Sequence, residues 1–138
     1  MTRILVPVNA SDASMRGVRA ALTLYGALPS VEIHLLHVEV ADGVPADVLG
    51  ERESAPEDAA RAERALDAAR DTVTRAGVAC VGEVRKGYVP AVIAEYARTA
   101  RCDAIVMVTR GMGSTGDVID SIARQVVSLA DVPVTLVK

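Results

Sequence analysis

Ala104-Ile105-Val106-Met107-Val108 is apolar at every position, and Thr109-Arg-Gly-Met-Gly-Ser-Thr-Gly-Asp-Val-Ile-Asp-Ser121 follows it at once. A strand with one wet face alternates apolar and polar residues. A run with no polar position reads instead as a central parallel strand buried on both faces. Beyond the glycines, Ile119, Ile122, Val126 and Leu129 recur at helical spacing, so a strand passes into a helix through a Gly-rich turn.

The same alternation extends in both directions. Upstream, Pro90 suits the first turn of a helix with Val92, Ile93, Tyr96 and Ala100 on its apolar face. Before it, Val78 to Arg85 reads as a weaker strand. A helix ending at Gly77 precedes that, with Ala59, Ala62, Leu66, Ala69 and Val73 inward and a charged, solvated outer face. Val31 to Val38 and Arg3 to Val8 are the two earlier strands. Glu39 to Pro56, with two Pro and two Gly, reads as a surface loop or flap. Ser11, Asp12 and Ser14 offer N-caps to a helix carrying Met15, Val18, Leu22 and Tyr25, with Gly26 as its C′ residue. Downstream, Val132 to Val137 is the last strand. Five strands alternating with four helices predict an α/β fold: one open parallel sheet, helices on both faces, right-handed crossovers.

Composition narrows the function. The chain has 138 residues and a mass of 14.4 kDa, which is one ordinary domain with no room for a second. It has three Tyr, no Phe and no Trp. Readers of single-stranded nucleic acid stack bases on aromatic rings, so that class is disfavoured. A net charge of −3 and a pI near 5.3 give no basic footprint for nucleic acid or an acidic membrane. No stretch reaches the ~18 apolar residues of a membrane span. The first residues read as a strand rather than a signal peptide, and Cys80 and Cys102 make neither a disulfide framework nor a metal spacing. A cytoplasmic setting is expected.

In an open parallel sheet, ligands bind beyond the carboxyl ends of the strands, where the strand order reverses. Candidates are therefore Asn9, Val38, Gly87 and the stretch from Thr109 to Ser121. Gly111, Gly113 and Gly116 match G-x-G-x-x-G between a strand and a helix. The dinucleotide fingerprint also needs an acidic residue closing the next strand. Here that strand closes on Val137-Lys138, and Asp131 precedes it. A nicotinamide enzyme is not indicated.

The chain as a whole resembles the universal stress protein family. Five pieces in order carry the resemblance: Arg3-Ile-Leu-Val-Pro-Val-Asn-Ala-Ser-Asp12, Leu35-Leu-His-Val38, Val84-Arg-Lys-Gly87 with its Pro-started helix, Cys102-Asp-Ala-Ile-Val-Met-Val-Thr-Arg-Gly111, and Ser121-Ile-Ala-Arg-Gln-Val-Val127 with Asp131-Val-Pro-Val-Thr-Leu-Val137. The resemblance implies the strand order 3-2-1-4-5 of an adenine nucleotide alpha hydrolase-like sheet. It implies a stress-response role and dimers paired through the last strand. It also implies an optional ATP site, with the pattern G-x-x-G, nine residues, then G-S or G-T, and an Asp after the first strand on the adenosine.

This sequence departs from that pattern. Val108 stands at the first Gly, and Gly111 matches the second. Ser121 falls over the third Gly, or Asp120-Ser121 over Gly-Ser if one residue is deleted. Val38 matches a main-chain contact to adenine. Asn9 replaces the Asp and can bond a ribose hydroxyl or adenine through either amide atom. Val108 adds bulk where Gly allows close approach. A carboxylate at Asp120 about 4 Å from a phosphate charge would cost about 4 kcal/mol at an effective dielectric of 20, roughly a thousandfold in affinity. Arg110, Ser114 and the N–H groups after Gly113 remain available to a phosphate. The expected site, Asn9, Val38, Arg110, Gly111, Gly113, Ser114 and Ser121, is thus a weakened or altered adenine-nucleotide cleft. ATP is a possible ligand, and Mg²⁺ only with it.

The expected function is a non-enzymatic regulatory domain with no catalytic residue and no metal site. The alternative is a slow ATPase or phosphotransferase. Asp117 and Asp120 are the only groups placed to serve it, and neither sits in a Walker arrangement. His34 and His37, three apart on a strand, point to opposite faces and read as structural. The two cysteines read as small hydrophobes. An apolar edge at Val132 to Val137 invites pairing with a second copy.

Overall fold

The computed structural model describes residues 1–9, 11–40, 56–109 and 121–138. The elements are β1 (Thr2–Pro7), α1 (Ala13–Tyr25), β2 (Val31–Val40), α2 (Pro56–Arg75), β3 (Ala79–Gly87), α3 (Val89–Thr99), β4 (Ala104–Val108), α4 (Ser121–Leu129) and β5 (Val134–Val137). The sheet is parallel throughout, in the order β3-β2-β1-β4-β5. The fold class and the strand order implied by the resemblance are those found.

The period of two sorts the core into two layers. Ile4, Val6, Val8, Ile33, Leu35 and Val106 pack with Val18 and Ala21 of α1 and Leu66, Ala69 and Val73 of α2. Leu5, Leu36, Val38, Ile105 and Met107 pack with Ile93 and Ala97 of α3 and Ala123 and Val126 of α4. All five residues of β4 are buried, as their unbroken apolar character requires. Val, Ile, Leu and Ala do most of the filling because helices lie on both faces; the aromatics that join the layers are the buried Tyr96 and the partly buried Tyr25.

Asp103 locks the entry to β4. Its carboxylate accepts from the Arg3 N–H at 2.8 Å, and its own N–H donates to the Arg3 carbonyl at 2.7 Å. This sets β4 on β1 with Leu5 opposite Ile105.

Several boundaries differ from the sequence reading. β2 runs to Val40 and β3 to Gly87, because the two strands pair along this whole length. β5 starts at Val134: the Pro133 carbonyl still accepts from the Ile105 N–H at 2.9 Å, but Pro has no N–H to return. Asp12 is the N-cap of α1 yet makes no side-chain cap bond. Ser11 and Ser14 do not cap either, because both turn to Asn9. Gly26 ends α1 in right-handed geometry, φ −62°, so it is not the left-handed C′ residue expected. Gly77 does end α2 left-handed, φ 76°. After α3 the left-handed seat is taken by Arg101, φ 56°, with the Cys102 N–H closing onto the Ala97 carbonyl at 2.8 Å. Ile119 and most of the Glu39–Pro56 segment (41–55) lie outside the described residues.

Ile105→Ala should lower the unfolding free energy by about 3–4 kcal/mol, since it empties a fully buried site. Arg101→Gly should raise it by about 0.5–1 kcal/mol by removing left-handed strain. Urea unfolding of the two variants measures both.

Candidate functional site

The sheet topology marks the carboxyl end of β1 as the candidate site. β1 lies between β2 and β4, where the strand order reverses. Its pairing with β4 ends at Leu5 and Ile105, although β4 continues to Val108. Its pairing with β2 ends at Pro7 and Leu36, although β2 continues to Val40. The carboxyl ends of three strands therefore part around Val8 and Asn9, which is where ligands bind in such sheets.

Asn9 organises this end. Its Oδ1 accepts from the Ser11 N–H at 2.9 Å, the Ser11 hydroxyl at 2.6 Å and the Ser14 hydroxyl at 2.7 Å. Its own N–H donates to Ser14 Oγ at 2.8 Å. Ser14 sits in the first turn of α1 and is buried. The network ties the end of β1 to the start of α1 and fixes the Asn9 amide.

Beside it, His37 Nδ1–H donates to the Val8 carbonyl at 2.9 Å, so this buried ring braces the β1 terminus against β2. Val38 is buried, with its side chain in the layer under α3 and α4. Only its main chain is available to a ligand, along the side of β2 that β1 has left.

Val108 is 1% exposed. It faces α1, where a Cβ on Gly17 would lie 3.7 Å from Val108 Cγ1 and from Val6 Cγ1. The bulk expected to obstruct the cleft is taken up by packing over this glycine. Ser121 is the exposed first residue of α4. Arg110, Gly111, Gly113 and Ser114, with Asp117 and Asp120, lie outside the described residues. The structure thus brings together Asn9 and Val38 of the expected set. It adds Ser14, which the sequence reading took for a helix cap.

A second polar cluster was also missed. Glu32 Oε1 lies 2.6 Å from His34 Nε2, and His34 Nδ1 lies 2.8 Å from the Tyr96 hydroxyl. One tautomer satisfies all three: Tyr96 donates to Nδ1, and Nε2–H donates to Glu32. Glu32 and His34 sit two apart on β2 and so share a face, a signal the sequence did contain. Burial, with Glu83 nearby, pushes the Tyr96 phenol up to about 12, against the Arg85 guanidinium 5.5 Å from its ring. Burial likewise pushes the Cys102 thiol up to about 11 and raises Cys80. None of these is an activated nucleophile. His34 and His37 do reach different partners. Among the described residues no group of three or more His, Cys, Asp or Glu could hold a metal, and no helix is long and apolar enough to cross a membrane.

A model of the Universal stress protein family matches residues 1–138, so the chain belongs to that family, a family of stress-response domains. No curated protein sequence matches it. Among solved structures it is similar to the universal stress protein from Archaeoglobus fulgidus, at 26% identity and TM-score 0.76, covering 100% of this chain and 99% of that one. It is similar to universal stress protein UspA from Lactobacillus plantarum, at 24% identity and TM-score 0.77, covering 99% and 97%. A family member from Arabidopsis thaliana, solved with AMP bound, has 24% identity and TM-score 0.73, covering 100% and 92%.

Ser14→Ala should cost about 1–3 kcal/mol in urea unfolding, because it leaves the buried Asn9 N–H unpaired. Stability should also fall at high pH. The folded chain holds the Tyr96 proton beyond its ordinary value of 10.0, to about 12. Its contribution is therefore complete below pH 10 and is lost as pH rises towards 12. Cys102 acts in the same sense between 9.0 and about 11. Tyr96→Phe should flatten the upper part of this decline.

Proposed function

We propose that this chain is a non-enzymatic regulatory domain of the stress response that binds a nucleotide in an altered cleft and works as a homodimer. The observation that carries the reading is the parting of β1 from both neighbours at Asn9, with a buried polar side chain fixed at the mouth. The AMP held by the Arabidopsis relative supports a nucleotide as the ligand class. The cleft is altered because Asn9 stands where an acid is the family pattern.

Absence of turnover is the better reading because Asp117 and Asp120, the groups placed to serve hydrolysis, sit in no Walker arrangement. The free thiols of Cys80 and Cys102 fit a reducing, cytoplasmic setting.

The dimer reading rests on a contrast between the two sheet edges. β3 carries Glu83, Arg85 and Lys86 along its outer half, and charges blunt an edge against pairing. β5 reads Val-Thr-Leu-Val, and Val127 and Leu129 of α4 are exposed. A second copy pairing through β5 would cover an apolar edge.

Calorimetric titration with AMP, and with ATP and Mg²⁺, should give binding weaker than micromolar. Micromolar affinity for ATP would refute an altered cleft, and no binding of any nucleotide would refute the site. A steady-state hydrolysis assay should show no turnover above the uncatalysed rate. Light scattering at micromolar concentration should give twice the 14.4 kDa chain mass, and a monomer would refute pairing.

A further inference from the structure

A cavity of about 170 Å³ lies between the end of the edge strand β3 and the helix α3. In the sheet, β3 is two strands away from β1 and its carboxyl end. The lining residues are Arg85 and Lys86 from β3 and Val92, Glu95, Tyr96 and Thr99 from α3, all of them described. The four helical positions are i, i+3, i+4 and i+7, which is one stripe of α3.

The cavity is built on a fixed wall. Tyr96 is buried, with its hydroxyl 2.8 Å from His34 Nδ1, and His34 Nε2 lies 2.6 Å from Glu32. The Arg85 guanidinium sits 5.5 Å from the centre of the Tyr96 ring. The buried set of Glu32, His34 and Tyr96 thus holds one side of the cavity in place.

The two walls differ in charge. β3 supplies the cations, Arg85 and Lys86. α3 supplies the Glu95 carboxylate and the Thr99 hydroxyl, whose proton goes to the Glu95 carbonyl at 3.1 Å, so its oxygen is left to accept. Arg85 pairs at 3.0 Å with Glu83 on its own strand rather than with Glu95 across the cavity. That pair uses Nη1 and is half-exposed, and exposed pairs hold weakly. A guanidinium has five N–H donors in a planar fork that matches a carboxylate. Donors therefore stand on one wall and acceptors on the other, and Val92 and the Tyr96 ring add apolar surface. A ligand of one charge would be attracted by one wall and opposed by the other. A ligand of both charges joins the two. A cavity of about 150 Å³ holds benzene, so the ligand here has roughly six to nine heavy atoms.

We propose that this cavity binds a short aliphatic α-amino acid as its zwitterion, with the carboxylate on Arg85, the ammonium on Glu95 and Thr99, and the side chain against Val92 and the Tyr96 ring. The inference is independent of the nucleotide-binding reading of the site at Asn9.

The test uses L-valine and its two halves. One is 3-methylbutanoate, which is valine without the ammonium; the other is 2-methylpropylamine, which is valine without the carboxylate. Titrations of the whole chain are followed in ¹H–¹⁵N spectra at neutral pH. L-Valine should bind at millimolar concentration and move the main-chain signals of Arg85, Val92 and Thr99. It should bind about tenfold tighter than either half, the worth of one charge-assisted hydrogen bond. Both charged positions are exposed, so their variants keep the fold. Arg85→Gln should weaken valine about tenfold and leave the amine unchanged, and Glu95→Gln should weaken valine by a similar factor and spare 3-methylbutanoate. Either half binding as tightly as valine overturns the zwitterion, and unmoved signals with all three probes at millimolar concentration overturn the site. Neither result touches the nucleotide reading, which the signals of Asn9 and Ser14 report separately.

Discussion

The inner strands β1, β2 and β4 are buried on both faces for most of their length, and this single condition governs the molecule. A parallel sheet with helices on each side can satisfy its main-chain groups only along its own ladders, and the side chains of a central strand must be apolar or paired with one another. β4 obeys this completely, and β1 does so from Ile4 onward. The consequence for chemistry is direct. Polar groups that can meet a ligand have nowhere to stand except the ends of strands, and the strands part from one another at Asn9.

The polar side chains that do enter the interior come as closed sets. Glu32, His34 and Tyr96 satisfy one another with one tautomer, and His37 is spent on the Val8 carbonyl. Such sets cost little because no member is left unpaired. They also explain why buried histidines, cysteines and a tyrosine, each a reactive group in other settings, carry no nucleophile here. Burial holds Tyr96, Cys80 and Cys102 protonated. Asn9 differs because its set stands at a strand end, where β1 leaves both neighbours.

Val108 and Gly17 show how a departure from a family pattern can be absorbed. A branched side chain at the end of β4 reads in isolation as an obstruction. In the fold it is buried against α1 beside Gly17, where even a Cβ would sit in ordinary contact at 3.7 Å. The two residues are 91 positions apart, and no local rule connects them.

The sequence by itself determined the element order and the fold class, because these follow from periodicity, unbroken apolar runs and turn residues, all of them local. It also placed Asn9 and Val38 towards the carboxyl ends of the first two strands, where the structure has them. It did not hold the orientation of the Asn9 amide, because that depends on Ser11 and Ser14 declining to cap α1 and turning back instead. Nor did it hold the lock of Asp103 on Arg3, the triad of Glu32, His34 and Tyr96, or the seat of Val108. Each of these joins residues that are distant in sequence or chooses between two locally reasonable hydrogen bonds. Only tertiary structure decides such choices, since the winning partner is the one that the packed sheet brings within reach.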